Sequence, residues 1–176
     1  VGDAPRWSVL VLGGTGFRGH PTLELLLDSG HNVTTLSRGL QYWDVLPNLQ
    51  KRGLQFWKCN RTIELDPAAG HLVDTTGLAN CSSLVNSTTY FDAVVDFSSK
   101  EATHMKQAVK LLQGRVGVYI FVSSHGVYDV SKNVTHSDGV LYESDAVRPG
   151  REVSPLERYE LKGRNPKANA ILECEE

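Results

Sequence analysis

The chain has 176 residues, of which 40% are hydrophobic and 22% charged, which is enough apolar material for a folded core and excludes an intrinsically disordered chain. Its 18 basic and 20 acidic residues leave a formal charge of −2, so no global electrostatic footprint for nucleic acid or anionic lipid is present. No run approaches the roughly 18 apolar residues of a membrane helix, and Val1-Gly2-Asp3-Ala4-Pro5-Arg6 lacks the basic-then-apolar layout of a signal peptide, so a cytoplasmic location and no membrane partner are expected.

Trp7 to Leu12 is a short, nearly continuous apolar run, the pattern of a strand covered on both faces of a parallel sheet. Gly13-Gly14-Thr15-Gly16-Phe17-Arg18-Gly19 ends it. From Phe17 to Ser29 the spacing becomes helical, with Leu23, Leu25, Leu26 and Leu27 as the apolar side and Gly30 as the C-terminal stop. Asn32 to Ser37, rich in β-branched residues, predicts a second strand, followed by room for only a brief helix and a third strand over Leu54 to Lys58. Residues 60 to 89 are polar and carry turn signals, with one helix expected around Leu78 to Val85. Phe91 to Phe97 predicts a fourth strand, Glu101 to Gln113 a helix stopped by Gly114, and Val116 to Val122 a fifth strand running into Ser123-Ser124-His125-Gly126. Ser131 to Pro155 reads as polar loop. Lys167 to Glu176 is helical up to the last residue, so the chain is expected to be a single domain over residues 1–176, incomplete at its C-terminus. Strands alternating with helices give an α/β class with a doubly wound, Rossmann-like parallel sheet.

Two further features carry no chemistry at this level. Cys59, Cys81 and Cys174 are odd in number and lack metal-ligand spacing, so neither a zinc site nor a disulfide framework is expected and all three read as reduced thiols. Asn32, Asn60, Asn80, Asn86 and Asn133 lie in N-x-S/T sequons, which read as incidental without a secretory signal, Asn32 and Asn60 also flanking predicted strands, a poor position for a glycan.

The glycine loop follows a predicted strand and opens a predicted helix, the context in which such a loop binds a dinucleotide pyrophosphate. Gly13 permits the tight turn, Gly16 lets the backbone approach the phosphates, and Gly19 lets the helix pack closely. Thr15, Phe17 and Arg18 complete the loop around helix N–H groups at the positive end of the helix dipole. A Walker-type phosphate loop is excluded, because no Lys-Ser or Lys-Thr follows the last glycine.

Together, G-G-T-G-F-R-G, the strand end L-S-R-G, F-D-A-V-V-D and Y-I-F-V-S-S-H-G-V-Y resemble the extended and atypical short-chain dehydrogenase/reductases, in particular their NAD-dependent epimerase/dehydratase branch. The resemblance is tight over residues 7 to 130 and looser from 140 to 176. It implies a nicotinamide dinucleotide partner, a small-molecule substrate such as a sugar nucleotide, hydride transfer, and a homodimer. At the end of the second strand an acidic residue would hold the ribose of NAD, whereas Ser37 and Arg38, with Arg18, favour the 2′-phosphate of NADP. The resemblance further places Asn60 at the adenine amino group, and Phe97 and Ser98 beside the nicotinamide ribose. Its substrate-orienting hydroxyl falls on Ser124, with Ser123 the close alternative.

The proton-transferring tyrosine and the lysine four residues beyond it are less well matched. Tyr128 and Lys132 have that spacing but sit directly after the fifth strand, outside the expected helix. On the next helix the sequence offers Tyr159 and Lys162, one turn apart, or Lys167 alone as the ribose-holding cation, with Pro166 breaking any helix through it. Two readings stay open: an NADP-linked oxidoreductase or epimerase, and a non-catalytic NADP-binding sensor or interaction protein.

Overall fold

The computed structural model describes residues 5–39, 46–60, 84, 87–131, 140–147 and 154–175. The expected helix at 78–85 lies outside these residues except for Leu84, as do Cys81, Lys132 and the sequons at 80, 86 and 133. The chain divides into two compact units, one of residues 1–98 and 106–122, the other of residues 99–105 and 123–176.

The first unit holds a five-stranded parallel sheet in the order β3-β2-β1-β4-β5, with β1 at Ser8–Leu12, β2 at Asn32–Ser37, β3 at Gln55–Lys58, β4 at Phe91–Asp96 and β5 at Val116–Phe121. Helix α1 (Gly19–Asp28) joins β1 to β2, the short α2 (Leu46–Lys51) precedes β3, and α3 (Ala102–Leu112) lies between β4 and β5. The apolar run of β1 is explained by its central place. Leu10 and Leu12 point into one cluster with Leu36, Leu84, Phe91, Val94, Ala108 and Leu112, while Val9 and Val11 point into another with Leu23, Val33, Leu46, Leu49, Leu54 and Ala93. Successive side chains of a strand alternate faces, so a strand covered on both sides must be apolar at every position. Each fully buried leucine contributes about 1.5–3 kcal/mol relative to exposure, which makes β1 the best-anchored strand of the sheet. By contrast β5 is an edge strand, with Val118 and Ile120 exposed.

The second unit gathers a 3₁₀ helix at His125–Val130 with α4 (Pro155–Arg164) and α5 (Pro166–Glu175). Val127 and Val130 meet Ala168 and Leu172 in a small cluster of its own. Ser154 caps α4, its hydroxyl accepting from the Glu157 N–H at 3.2 Å, with Pro155 at the first helical position. Asn165 then breaks the chain direction, and its side-chain oxygen accepts from the Ala168 N–H at 3.1 Å to start α5. The helical stretch around Tyr159 to Lys167 is therefore two helices, because Pro166 has no N–H to continue the first.

The cysteine expectation is corrected. Cys174 forms no disulfide, but Cys59 is disulfide-bonded, with its partner outside the described residues. Its place right after β3, in the core with Leu36 and Leu84, could not be foreseen from spacing along the chain.

Candidate functional site

In the first unit the carboxyl ends of β1, β2, β3 and β4 frame one edge of the sheet, where open parallel sheets bind their ligands. Gly13 leaves β1 at a φ of +79°, a left-handed conformation costly for residues with a β-carbon, while its N–H donates to the Leu36 carbonyl at 2.8 Å. A β-carbon on Gly13 would also lie 2.8 Å from Ser98 Cβ at the end of β4. The turn closes through the Gly16 N–H on the Gly13 carbonyl at 3.1 Å, and α1 starts with the His20 N–H on the Gly16 carbonyl at 3.0 Å. Gly19 is needed for a different contact than expected: its β-carbon would meet Gly14 Cα at 2.6 Å, so it folds the first turn of α1 onto the loop itself. The close packing of loop against sheet and helix falls to Gly14, whose β-carbon would run into the Thr35 hydroxyl and lie 3.0 Å from Leu23 Cδ1.

Arg18, in the N-cap position of α1, makes no side-chain cap hydrogen bond. Phe17 and Arg18 are exposed at the loop tip.

The Ser37 hydroxyl is buried and lies 2.8 Å from that of Thr15, and it accepts from the Gly39 N–H at 3.3 Å. Both hydroxyls thus fasten the glycine loop to the exit of β2. Arg38 next to it is exposed. A second cation was missed by sequence reasoning: β2 and β3 pair Ser37 with Lys58, and the Lys58 stem passes over Gly39, 3.6 Å from where a β-carbon there would stand. Only the register across two strands brings Lys58 to Gly39 at the exit of β2. Asn60, just beyond β3, is half-buried.

At the end of β4, Asp96 is fully buried and accepts from the Ser98 N–H at 2.7 Å, the Ser98 hydroxyl at 3.0 Å and the Tyr119 hydroxyl at 2.5 Å. Three donors offset the large cost of burying a carboxylate and fix the Ser98 turn against Gly13. Phe97 donates its N–H to the Leu12 carbonyl at 3.0 Å and packs on the Val9–Val11 cluster. Asp96 and Tyr119 escaped notice because they meet only once β4 and β5 are paired.

The remaining candidates belong to the second unit. Ser124 opens the 3₁₀ helix, its hydroxyl accepting from the Gly126 N–H at 3.4 Å, and the Ser123 hydroxyl donates to Glu175. The Ser124–Gly126 turn lies against the start of α5, since a β-carbon on Gly126 would stand 3.5 Å from Ala168 Cβ. That is the helix of Lys167, which is exposed. Tyr159 sits instead on α4 and is 76% exposed, with Lys162 on the same helix one turn later. Tyr159 and Lys167 are thus carried by different helices. Among the described residues no cluster of three or more His, Cys, Asp or Glu could hold a metal ion, and no helix is long and apolar enough to cross a membrane.

Residues 9–151 match the family described as the NAD dependent epimerase/dehydratase family. Among solved structures the chain is similar to vestitone reductase from alfalfa (Medicago sativa), at 23% identity and TM-score 0.63, covering 96% of this chain and 50% of that one. It is also similar to a wide-type short-chain dehydrogenase/reductase from Veillonella parvula in complex with NADP, at 17% identity and TM-score 0.51, covering 70% and 50%. A third is MoeE5 in complex with UDP-glucose and NAD, at 19% identity and TM-score 0.52, covering 95% and 48%. The chain spans about half the length of these structures. No curated protein matches by sequence. The match across most of the chain and the parallel sheet with its glycine loop lead to one assignment: the chain belongs to the NAD dependent epimerase/dehydratase family.

Proposed function

We propose that this chain is the cofactor-holding part of an oxidoreductase or epimerase that binds NADP in preference to NAD and acts on a sugar nucleotide or similar hydroxylated substrate. The observation that carries the reading is the cradle between β1 and α1, where β-carbons on Gly13, Gly14 and Gly19 would collide with the loop's own surroundings. A backbone kept this bare lets a pyrophosphate come close to the loop and to the positive end of the α1 dipole. The cofactor, when bound, supplies the hydride donor or acceptor. The protein's part is to hold it: Gly13 to Gly19 at the pyrophosphate, Ser98 at the ribose side, Asn60 at the adenine, and Arg38 with Lys58 at the 2′-phosphate. Arg38 at the exit of β2, where an acidic side chain would serve NAD, and Lys58 at the paired end of β3 support NADP. The structures solved with NADP and with UDP-glucose and NAD support the ligand class.

A second reading, cofactor binding without turnover, draws on the separation of Tyr159 from Lys167 onto two helices and on the Ser123 hydroxyl being engaged by Glu175. Calorimetric titration with both cofactors tests the binding proposal: tighter NADP binding is expected, and equal affinities would overturn the roles of Arg38 and Lys58. NADPH oxidation by the longest available form of the protein, with a panel of sugar nucleotides and ketones, separates the two readings. Turnover that persists in Tyr159→Phe removes that tyrosine as the proton carrier.

A further inference from the structure

We propose that Asn32 carries an N-linked glycan and that the protein matures in an oxidising secretory compartment, in place of the cytoplasm expected from the sequence. The chain has eight asparagines, at positions 32, 48, 60, 80, 86, 133, 165 and 169, and five of them head N-x-S/T sequons. Serine and threonine make up about one residue in seven here, so about one sequon among eight asparagines would arise by chance. The disulfide on Cys59 is an independent observation with the same direction, because disulfides persist in oxidising compartments and are rare in the cytosol.

Asn32 is the described sequon whose position suits a glycan. It is exposed at the first residue of β2, at the amino end of the strands, while the glycine loop, Ser37, Arg38 and Lys58 occupy the carboxyl end. A glycan there leaves the proposed cofactor site clear. Asn60, at the carboxyl end and half-buried, is expected to stay unmodified. The Trp7 backbone carbonyl accepts from the Asn32 N–H at 2.8 Å, which fixes the first residue of β2 beside the start of β1. Trp7 is 46% exposed and stacks on His31 with ring centroids 6.0 Å apart, so this end of the strands is open to solvent.

The folded state also fixes when the glycan is attached. Thr34, the third sequon residue, is 6% exposed, and its hydroxyl donates to Gln55 Oε1 at 3.3 Å. A transferase must reach that hydroxyl, so attachment precedes pairing of β2 with β3 and occurs on the nascent chain. In the transfer Asn32 Nδ2 forms a bond to C1 of a lipid-pyrophosphate-linked oligosaccharide and the C1–O bond to the pyrophosphate breaks. The pyrophosphate keeps that electron pair, and the amide nitrogen gives one proton to the transferase. Oxidation of Cys59 and its partner thiol releases two electrons and two protons, which reduce the disulfide of a thiol oxidoreductase to a dithiol.

The test is peptide mass spectrometry of the protein isolated from its native source, alkylated without reduction and deglycosylated with PNGase F in heavy-oxygen water. The expected result is a heavy-oxygen aspartate at position 32, an unmodified Asn60, and Cys59 that escapes alkylation until reductant is added. An unmodified Asn32, or Cys59 alkylated without reductant, overturns the proposal. In the secreted protein N32Q should remove one glycan step from the gel shift and leave NADP affinity unchanged. Folded protein made without glycans should not be modified by oligosaccharyltransferase, and modification of it would overturn the co-translational order. Failure of NADP to bind either glycoform would count against the cofactor reading alone, since Asn32 lies at the opposite end of the strands.

Discussion

Two glycines with the same backbone conformation but different surroundings isolate the contact that closes the loop. Gly13 has φ +79° and Gly30 φ +80°, yet a β-carbon on Gly13 would stand 2.8 Å from Ser98 Cβ and one on Gly30 would meet nothing within 4 Å. Alanine at either position incurs the left-handed backbone cost of about 1–2 kcal/mol. At Gly13 it adds an overpacking cost of about 1–3 kcal/mol, because Ser98 is fixed by two hydrogen bonds to Asp96 and cannot turn aside. Gly13→Ala should therefore destabilise by about 2–5 kcal/mol and Gly30→Ala by about 1–2 kcal/mol. With a urea slope of about 1–3 kcal/mol per molar, the two midpoints should differ by roughly 1 M. Urea unfolding followed by tryptophan fluorescence reads this difference, provided the slopes agree. Coincident midpoints would refute the close approach of β4 to the loop, and with it the claim that Gly13 is held by its neighbours as well as by its own torsion.

Tyr119→Phe withdraws one donor from the buried carboxylate of Asp96 and should lower stability by about 1–3 kcal/mol, while an unchanged unfolding midpoint would deny that hydrogen bond any weight. Lys58→Ala and Arg38→Ala should each weaken NADP by about tenfold and leave NAD unaltered, in proportion to one lost charge-assisted contact; parallel losses for both cofactors in calorimetry would move these side chains away from the 2′-phosphate. The ion pair of Arg52 with Asp28 is largely solvent-exposed, so Arg52→Ala should cost less than about 1 kcal/mol, and a larger shift in thermal unfolding would show that its contact with the Glu24 carbonyl matters more than its charge.

The parts of the fold legible in the sequence are those whose signal is local. β1, β2 and β4 stand at the middle of the sheet, and their apolar or β-branched runs stop at turns or polar residues, so composition alone bounds them to within a residue or two. The glycine loop is legible for the same reason. What stayed hidden depends on pairing between strands far apart in sequence: Lys58 reaches Gly39 through the β2–β3 register, and Tyr119 reaches Asp96 through β4–β5. Ser37 illustrates an intermediate case. Its position at the strand end was visible, but its hydroxyl serves Thr15 and Gly39. In the second unit, Pro166 announced a break, while the capping role of Asn165 that starts a new helix there was not visible from the sequence. The sequons were plain to see, yet their weight changed only when Cys59 proved to be disulfide-bonded.

The paired hydroxyls of Thr15 and Ser37 have a consequence for how tightly a ligand can be held. They tie the loop that would face the pyrophosphate to the strand end that would face the adenosine ribose, using bonds internal to the protein. A cradle shaped in advance does not have to be ordered by its occupant, so the entropy lost on binding falls mainly on the dinucleotide. The protein's own share of that loss was met when the chain folded.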